Sequence, residues 1–233
     1  MSPTKPSPTK PSPTKPVRPD ATAARFSGWP KTMYAFFDGL EEDNSRDYFL
    51  AQKDTYSADV RGPMEALIAH CTTEFGEAHL FRPQRDTRFA KDKRPYKDNI
   101  ACVFRREGAI AYVSVDGSGL FVGSGYYMMS PEQLLRFRTA TGDDATGPSL
   151  AAILDRAHQA GLSSGEPALQ RVPKPFVKDH PRETLLRHKS MVVARKWDQP
   201  AWLHQRRALT EITKVWRAAA ELNQWLAAHV GPA

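Results

Sequence analysis

The spacing of apolar residues changes in the middle of the chain, and this change limits the possible folds more than any other feature. Residues 29–75 repeat apolar side chains every three or four positions, as amphipathic helices do. Residues 100–105, 110–116 and 119–123 are instead short runs rich in β-branched and aromatic side chains, separated by turns that contain glycine. Three consecutive strands without intervening helices favour an antiparallel meander and disfavour a doubly wound parallel sheet.

Signals in the second half of the chain complete the prediction of the fold. Ser130 followed by Pro131 is a strong helix start, because serine caps the helix and proline suits its first position. Residues 191–194 are a fourth strand candidate, and Asp198 is predicted to open a long C-terminal helix. The prediction is α+β, an antiparallel sheet of about four or more strands packed with N- and C-terminal helices, in a single domain over residues 26–233.

The N-terminal segment has a different composition. Residues 2–16 are three copies of Ser-Pro-Thr-Lys-Pro, and seven of the 19 prolines lie within the first 20 residues. Proline removes backbone donors and fixes φ, so residues 1–25 are predicted to be a disordered tail that serves as a solvated linker. Two other interpretations stay open, weak non-specific contact with polyanions through the lysines and proline-directed phosphorylation.

Composition excludes several classes of protein. No apolar run approaches the roughly 20 residues that span a bilayer, and no apolar stretch begins the chain, so we expect neither a membrane anchor nor a secretory signal. Cys71 and Cys102 are too few for a disulfide framework, and we expect both to be buried fillers in a cytoplasmic protein. The sequence contains no zinc-binding or nucleotide-binding motif, so no metal or cofactor is predicted.

The net charge of +7 is concentrated in two short segments. Residues 82–97, the basic loop, contain seven basic and two acidic residues, and residues 171–189, the second basic segment, contain six and two. If the two segments meet in space, they build a positive concavity that attracts phosphates or carboxylates. The alternative is a solvated surface with internal ion pairs. Phe89 and Tyr96 are expected to anchor the basic loop to the core, with stacking on bases as the alternative.

The predicted ligand-binding residues come mainly from these segments, because guanidinium and ammonium groups pair with phosphate oxygens. They are Arg85, Arg88, Lys91, Lys93, Lys97 and Lys189, together with Asn44 and Arg46 from the early helical region. Asp86 and Asp92 are expected to orient the arginines or to act as bases. His180 is the predicted general acid or base, since its ordinary pKa is about 6.5, and a structural or capping role is the alternative.

Four motifs occur in order along the chain. They are Asn-Ser-Arg-Asp-Tyr-Phe at 44–49, Arg-Asp-Thr-Arg-Phe-Ala-Lys-Asp-Lys-Arg-Pro-Tyr-Lys at 85–97, Gly-Ser-Gly-Tyr-Tyr at 123–127 and Lys-Asp-His-Pro at 178–181. Together they resemble an uncharacterised family labelled domain of unknown function (DUF) 2461. The resemblance implies an α+β domain and no established activity, and it supports the idea that the basic motifs work together. Pro175 stands where the family pattern has glycine, so this loop is expected to differ in shape.

These observations leave three hypotheses open. The first is a domain with a basic anion-binding pocket for a phosphate-bearing ligand, of which nucleic acid is the most ordinary polyanion. The second is an enzyme acting on a phosphorylated or carboxylated small molecule, in which His180 or an aspartate transfers a proton. The third is a non-catalytic module whose basic segments pair with the acidic remainder and stabilise the fold. The oligomeric state is not predicted.

Overall fold

A five-stranded antiparallel sheet forms the centre of the fold, with its strands in the order β1-β2-β3-β4-β5. The computed structural model describes residues 25–88, 91–106 and 108–232. The strands are β1 (Glu77–Leu80), β2 (Asn99–Arg106), β3 (Ala109–Asp116), β4 (Gly119–Tyr126) and β5 (Met191–Asp198). Each strand pairs with the next one along the chain, so the α+β prediction and its antiparallel sheet are confirmed.

Along the chain, helices precede the first strand, separate β4 from β5 and follow the last strand. Within the described residues they are α1 (Thr32–Glu42), α2 (Arg46–Ala51), α3 (Lys53–Thr55), a π-helical segment (Tyr56–Arg61), α4 (Gly62–Phe75), α5 (Pro131–Gly142), α6 (Gly147–Gln159), α7 (Glu183–Leu186), a 3-10 turn (Ala201–His204), α8 (Arg207–Ala218) and α9 (Ala220–His229). Local sequence explains α5 directly. Ser130 accepts a hydrogen bond from the Gln133 amide, and the Gln133 side chain accepts one from the Ser130 amide, which forms a capping box.

The two faces of the sheet have different neighbours, because successive side chains of a strand point to opposite sides. On one face, Phe104 of β2 packs against Trp216 of α8 with ring centroids 5.1 Å apart. On the same face, Ser124 of β4 accepts a hydrogen bond from Asn223 of α9. This face forms the main hydrophobic core with the helices.

The other face of the sheet is called the open face. Its side chains follow the alternate positions of the five strands and, after β1, Phe81, whose amide donates to the Ala101 carbonyl. The open face carries His79, Phe81, Ala101, Val103, Arg105, Tyr112, Ser114, Phe121, Gly123, Ala194 and Lys196.

Two elements differ from the sequence prediction. The structure adds β1, a four-residue strand too short to show a clear alternation. Asp198 ends β5 instead of opening a helix, and the C-terminal helical region is divided into the 3-10 turn, α8 and α9. The apolar periodicity continues through Ala219 because α8 and α9 both bury residues in the same core, so it does not reveal the break between them.

Some predictions fall outside the described residues. The tail prediction over residues 1–25 does so except at Arg25, and so does the expected anchoring role of Phe89. Within the described ranges, no helix combines the length and the apolar character needed to cross a bilayer. Cys71 and Cys102 are both buried and unpaired, as predicted.

Candidate functional site

The basic loop is fixed to the helical layer through Tyr96. The Tyr96 ring stacks on Phe49 of α2, with centroids 4.1 Å apart and planes 3° from parallel. The Asn44 side chain accepts a hydrogen bond from the Tyr96 amide at 2.9 Å and donates to the carbonyls of Tyr96 and Leu40, each at 3.3 Å. The side-chain amide of Asn44 is therefore fully engaged in holding the basic loop, and Tyr96 anchors this loop to the helices.

Arg85 closes the basic loop from inside. Its Nε donates to the Tyr96 carbonyl at 2.7 Å, while its terminal nitrogens lie 2.7 Å from Asp92 and 3.1 Å from Asp98. All sides of this guanidinium are committed to partners in the loop or to Asp98 directly after it. Arg85 is thus placed to shape the loop, and little of its donor capacity is left for a ligand.

The two predicted aspartates are each paired with arginine. Asp86 holds Arg88 through both carboxylate oxygens, at 2.9 and 2.7 Å, and Asp92 accepts from Arg94 as well as from Arg85. Hydrogen bonds from these side chains lower the pKa of both carboxyl groups to about 2, Arg88 acting on Asp86 and Arg94 on Asp92. Carboxylates this acidic are weak bases at neutral pH.

The lysines of the loop lie in contrasting surroundings. Lys93 donates to the Thr87 carbonyl at 2.9 Å, and Lys91 is exposed. Lys97 donates to the Arg82 carbonyl at 2.8 Å, and its ammonium lies 5.3 Å from the centre of the Phe81 ring. Burial is the first cause that lowers the pKa of Lys97, and the positive charges of Arg82 and Arg85 add to it. Lys97 therefore stands in a locally positive field.

The second basic segment packs elsewhere, against the end of α5. His180 Nδ1 accepts from the Arg182 amide at 3.1 Å, which leaves Nε2 to donate to the Gly142 carbonyl at 3.2 Å. Arg182 donates to the carbonyls of Thr141 and Gly142 and pairs with Asp144 at 2.6 Å. These contacts satisfy carbonyls at the end of α5, a role typical of a helix cap.

The structure does not join the two basic segments by any hydrogen bond or ion pair among the residues it describes. The basic loop contacts α2 and the end of α1, whereas His180 contacts the end of α5. Lys189 and Arg46 are exposed. The predicted site residues thus form two separate groups, with Lys97 at the point where the basic loop reaches the sheet.

Sequence reasoning missed the open face next to Lys97. His79 packs its ring edge-on to Phe81 at 5.0 Å, and burial, Arg105 and Lys97 lower its pKa in that order. The Tyr112 ring lies 6.0 Å from the Phe121 ring across β3 and β4. The signal was present, because the alternation within each strand places Tyr112 and Phe121 on the side opposite the apolar core residues.

Comparisons with known proteins agree with the motif resemblance. The family described as Conserved hypothetical protein (DUF2461) matches residues 32–225. The chain belongs to this family. All four motifs lie inside the matched range, and the hydrogen bonds between Asn44 and Tyr96 join two of them across the DUF2461 domain. No curated protein and no solved structure matches the chain. In the described part of the domain, no cluster of three or more His, Cys, Asp or Glu side chains is arranged to hold a metal ion.

Proposed function

We propose that this protein binds the phosphate groups of a polyanionic ligand at a cationic rim formed by Arg82, Lys97 and Arg105. Lys97 is shared with the sequence prediction and donates to the Arg82 carbonyl, while Lys97 and Arg105 both act electrostatically on His79 of β1. The rim provides two guanidinium forks and an ammonium group, a combination suited to phosphate oxygens.

One observation carries the proposal. Arg85, Arg88 and Arg94 are each paired with an aspartate of the same loop. Of the carboxylates that the structure describes, none forms an ion pair with Arg82, Lys97 or Arg105. Glu77 faces Arg105 across β1 and β2, and Asp86 lies in the field of Arg82, but neither carboxylate forms an ion pair with its neighbour. The three cations therefore keep donors for anions, whose local concentration their positive charge raises. Nucleic acid is the most ordinary polyanion that such a surface meets.

The acid–base alternative has less support in the geometry. Both ring nitrogens of His180 face backbone groups of the protein, and Asp86 and Asp92 are paired with arginines. A proton-transfer group needs a ligand-facing atom within hydrogen-bond reach of the substrate. Binding at the cationic rim is therefore the function that these contacts favour.

The test compares Lys97→Gln with Lys214→Gln, an exposed lysine on α8 that serves as the matched control. Each of the two changes is made separately in the full chain, in a background that also carries Lys5→Gln, Lys10→Gln and Lys15→Gln. With these three lysines neutralised, their charge cannot account for the binding. The probes are inorganic polyphosphate and a labelled oligothymidylate of about twelve nucleotides. We expect Lys97→Gln to weaken binding to both and to reduce the salt slope by about 0.7 to 1.

Two results would contradict the proposal. One is equal affinity of Lys97→Gln and the Lys214→Gln control for both probes across the salt series. The other is complete loss of binding when only the three tail lysines are neutralised, which would assign the binding to the tail.

A further inference from the structure

Aromatic side chains are exposed on the open face, where contact with water gives them little of the stabilisation that burial provides. Phe121 is 38% exposed and Tyr127, just after β4, is 53% exposed. Phe121 lies in edge-to-face contact with Tyr112, and Phe81 lies at the β1 edge of the same face. Exposed rings on one face of a sheet provide flat apolar surfaces for a ligand that itself carries rings.

Small residues form the floor between these rings. In one line across the strands, Ala101 pairs with Ser114 and Ser114 pairs with Phe121. In the next line, Tyr112 pairs with Gly123 and Gly123 pairs with Ala194. The side chains of the floor are short and buried, with Ala101 5% and Ser114 7% exposed, and the half-buried Tyr112 and the exposed Phe121 lie beside them.

Positive charge borders this aromatic surface on one side. Lys97 lies beside Phe81, and Arg105 stands on the open face in register with Ile110. Three strand spacings of about 4.8 Å separate the line of Phe81 from that of Phe121, about 14 Å in all, and Arg105 on β2 is one strand from Tyr112 on β3. Of the acidic groups of this face, Asp116 and Asp198 lie at the end away from Arg105, and Asp198 pairs with Lys196 at 3.3 Å. Glu77 faces Arg105 in register without forming an ion pair with it.

We propose that the open face binds single-stranded nucleic acid, with bases stacked on Tyr112 and Phe121 and backbone phosphates at the cationic rim. A polymer that alternates flat rings with anionic groups complements a surface that combines the same two chemistries. A duplex buries its bases and offers no ring face for stacking, so the surface selects single strands. The inference rests on the proposed phosphate binding and adds the base-stacking platform to it.

The experiment uses the full chain in the tail-neutralised background and three probes. These are a labelled oligothymidylate of about twelve nucleotides, a duplex of the same length and inorganic polyphosphate. Phe121→Ala removes an exposed ring, and Leu135→Ala, which removes an exposed side chain on α5, is the matched control. We expect Phe121→Ala to weaken oligothymidylate binding at least about fivefold, the lower end for base stacking, and to leave polyphosphate binding unchanged. Phe121→Trp is expected to retain the affinity.

The outcomes separate the two proposals. If Lys97→Gln weakens binding while Phe121→Ala does not, phosphate binding stands and the stacking inference is wrong. If neither polyphosphate nor oligothymidylate binds, both proposals are wrong. Duplex binding as tight as single-strand binding would overturn the inference, as would a Phe121→Ala variant that changes the oligomeric state without changing affinity for the single strand.

Discussion

At the scale of single residues, side-chain partners decide which polar groups remain available for a ligand. Asn44 and Arg85 were both attractive ligand-binding candidates by residue type. In the structure each is committed to the backbone of Tyr96, 52 and 11 residues away, and Arg85 also to two aspartates. Residue type and position in the sequence do not reveal such distant partners, whereas the proximity of Asp86 to Arg88 makes that pair easy to anticipate.

His188 is predicted to make folding stability depend on pH. Burial lowers its pKa, Arg187 lowers it further, and Glu166 opposes both. Below its ordinary pKa of about 6.5, the unfolded chain binds a proton that the folded protein rejects. Neutral His188 therefore leaves the free energy of unfolding at its full value above about pH 6.5. That free energy declines as the pH falls from about 6.5 towards the lowered pKa of His188 in the folded state.

Urea unfolding between pH 8 and pH 5 tests this effect. We expect His188→Gln to flatten the decline in the free energy of unfolding below about pH 6.5, and the exposed His158→Gln on α6 to follow the parent. A decline of unchanged steepness in His188→Gln would show that His188 is not its source. Asp86 and Asp92 affect stability only at a lower pH, because their ion pairs stabilise the fold until the pH falls from about 3.9 to about 2.

At the scale of elements, two glycines of β4 differ in how much space the neighbouring strand β5 leaves for a side chain. Gly125 has φ of 142°, and a Cβ there would lie 2.2 Å from the Met191 carbonyl oxygen. A Cβ on Gly123 would lie 3.2 Å from the Ala194 Cβ, a tight contact between side chains. We expect Gly125→Ala to reduce the free energy of unfolding by about 3 kcal/mol. Gly123→Ala is expected to reduce the free energy of unfolding by a smaller amount. Equal losses in urea unfolding would contradict this account.

The same scale shows which elements a sequence can reveal. Helix α5 begins at Ser130 and Pro131 with a capping signal that depends only on neighbouring residues, and it is found where predicted. Strand β1 has four residues and is defined by its pairing with β2, from which the basic loop separates it. Local patterns identify α5, while β1 requires knowledge of the tertiary partner.

At the scale of the whole molecule, the predicted union of the two basic segments is replaced by two separate arrangements. The basic loop neutralises most of its arginines internally, while His180 and Arg182 cap the end of α5. Charge counted along the chain shows where cations are concentrated, but their neutralisation depends on geometry that counting omits. The open face shows the opposite case, since the alternation of its strands was visible in the sequence and the exposure of Phe121 was not.

The most direct test of the account is amide chemical-shift mapping of the full-length, isotope-labelled protein with an oligothymidylate of about twelve nucleotides at low salt. The account predicts shift changes at residues 79–82, 97 and 105 from phosphate binding and at residues 112 and 121 from base stacking, each weakening as salt is added. Changes confined to residues 1–24 or to the second basic segment would contradict the claim that the cationic rim binds the ligand.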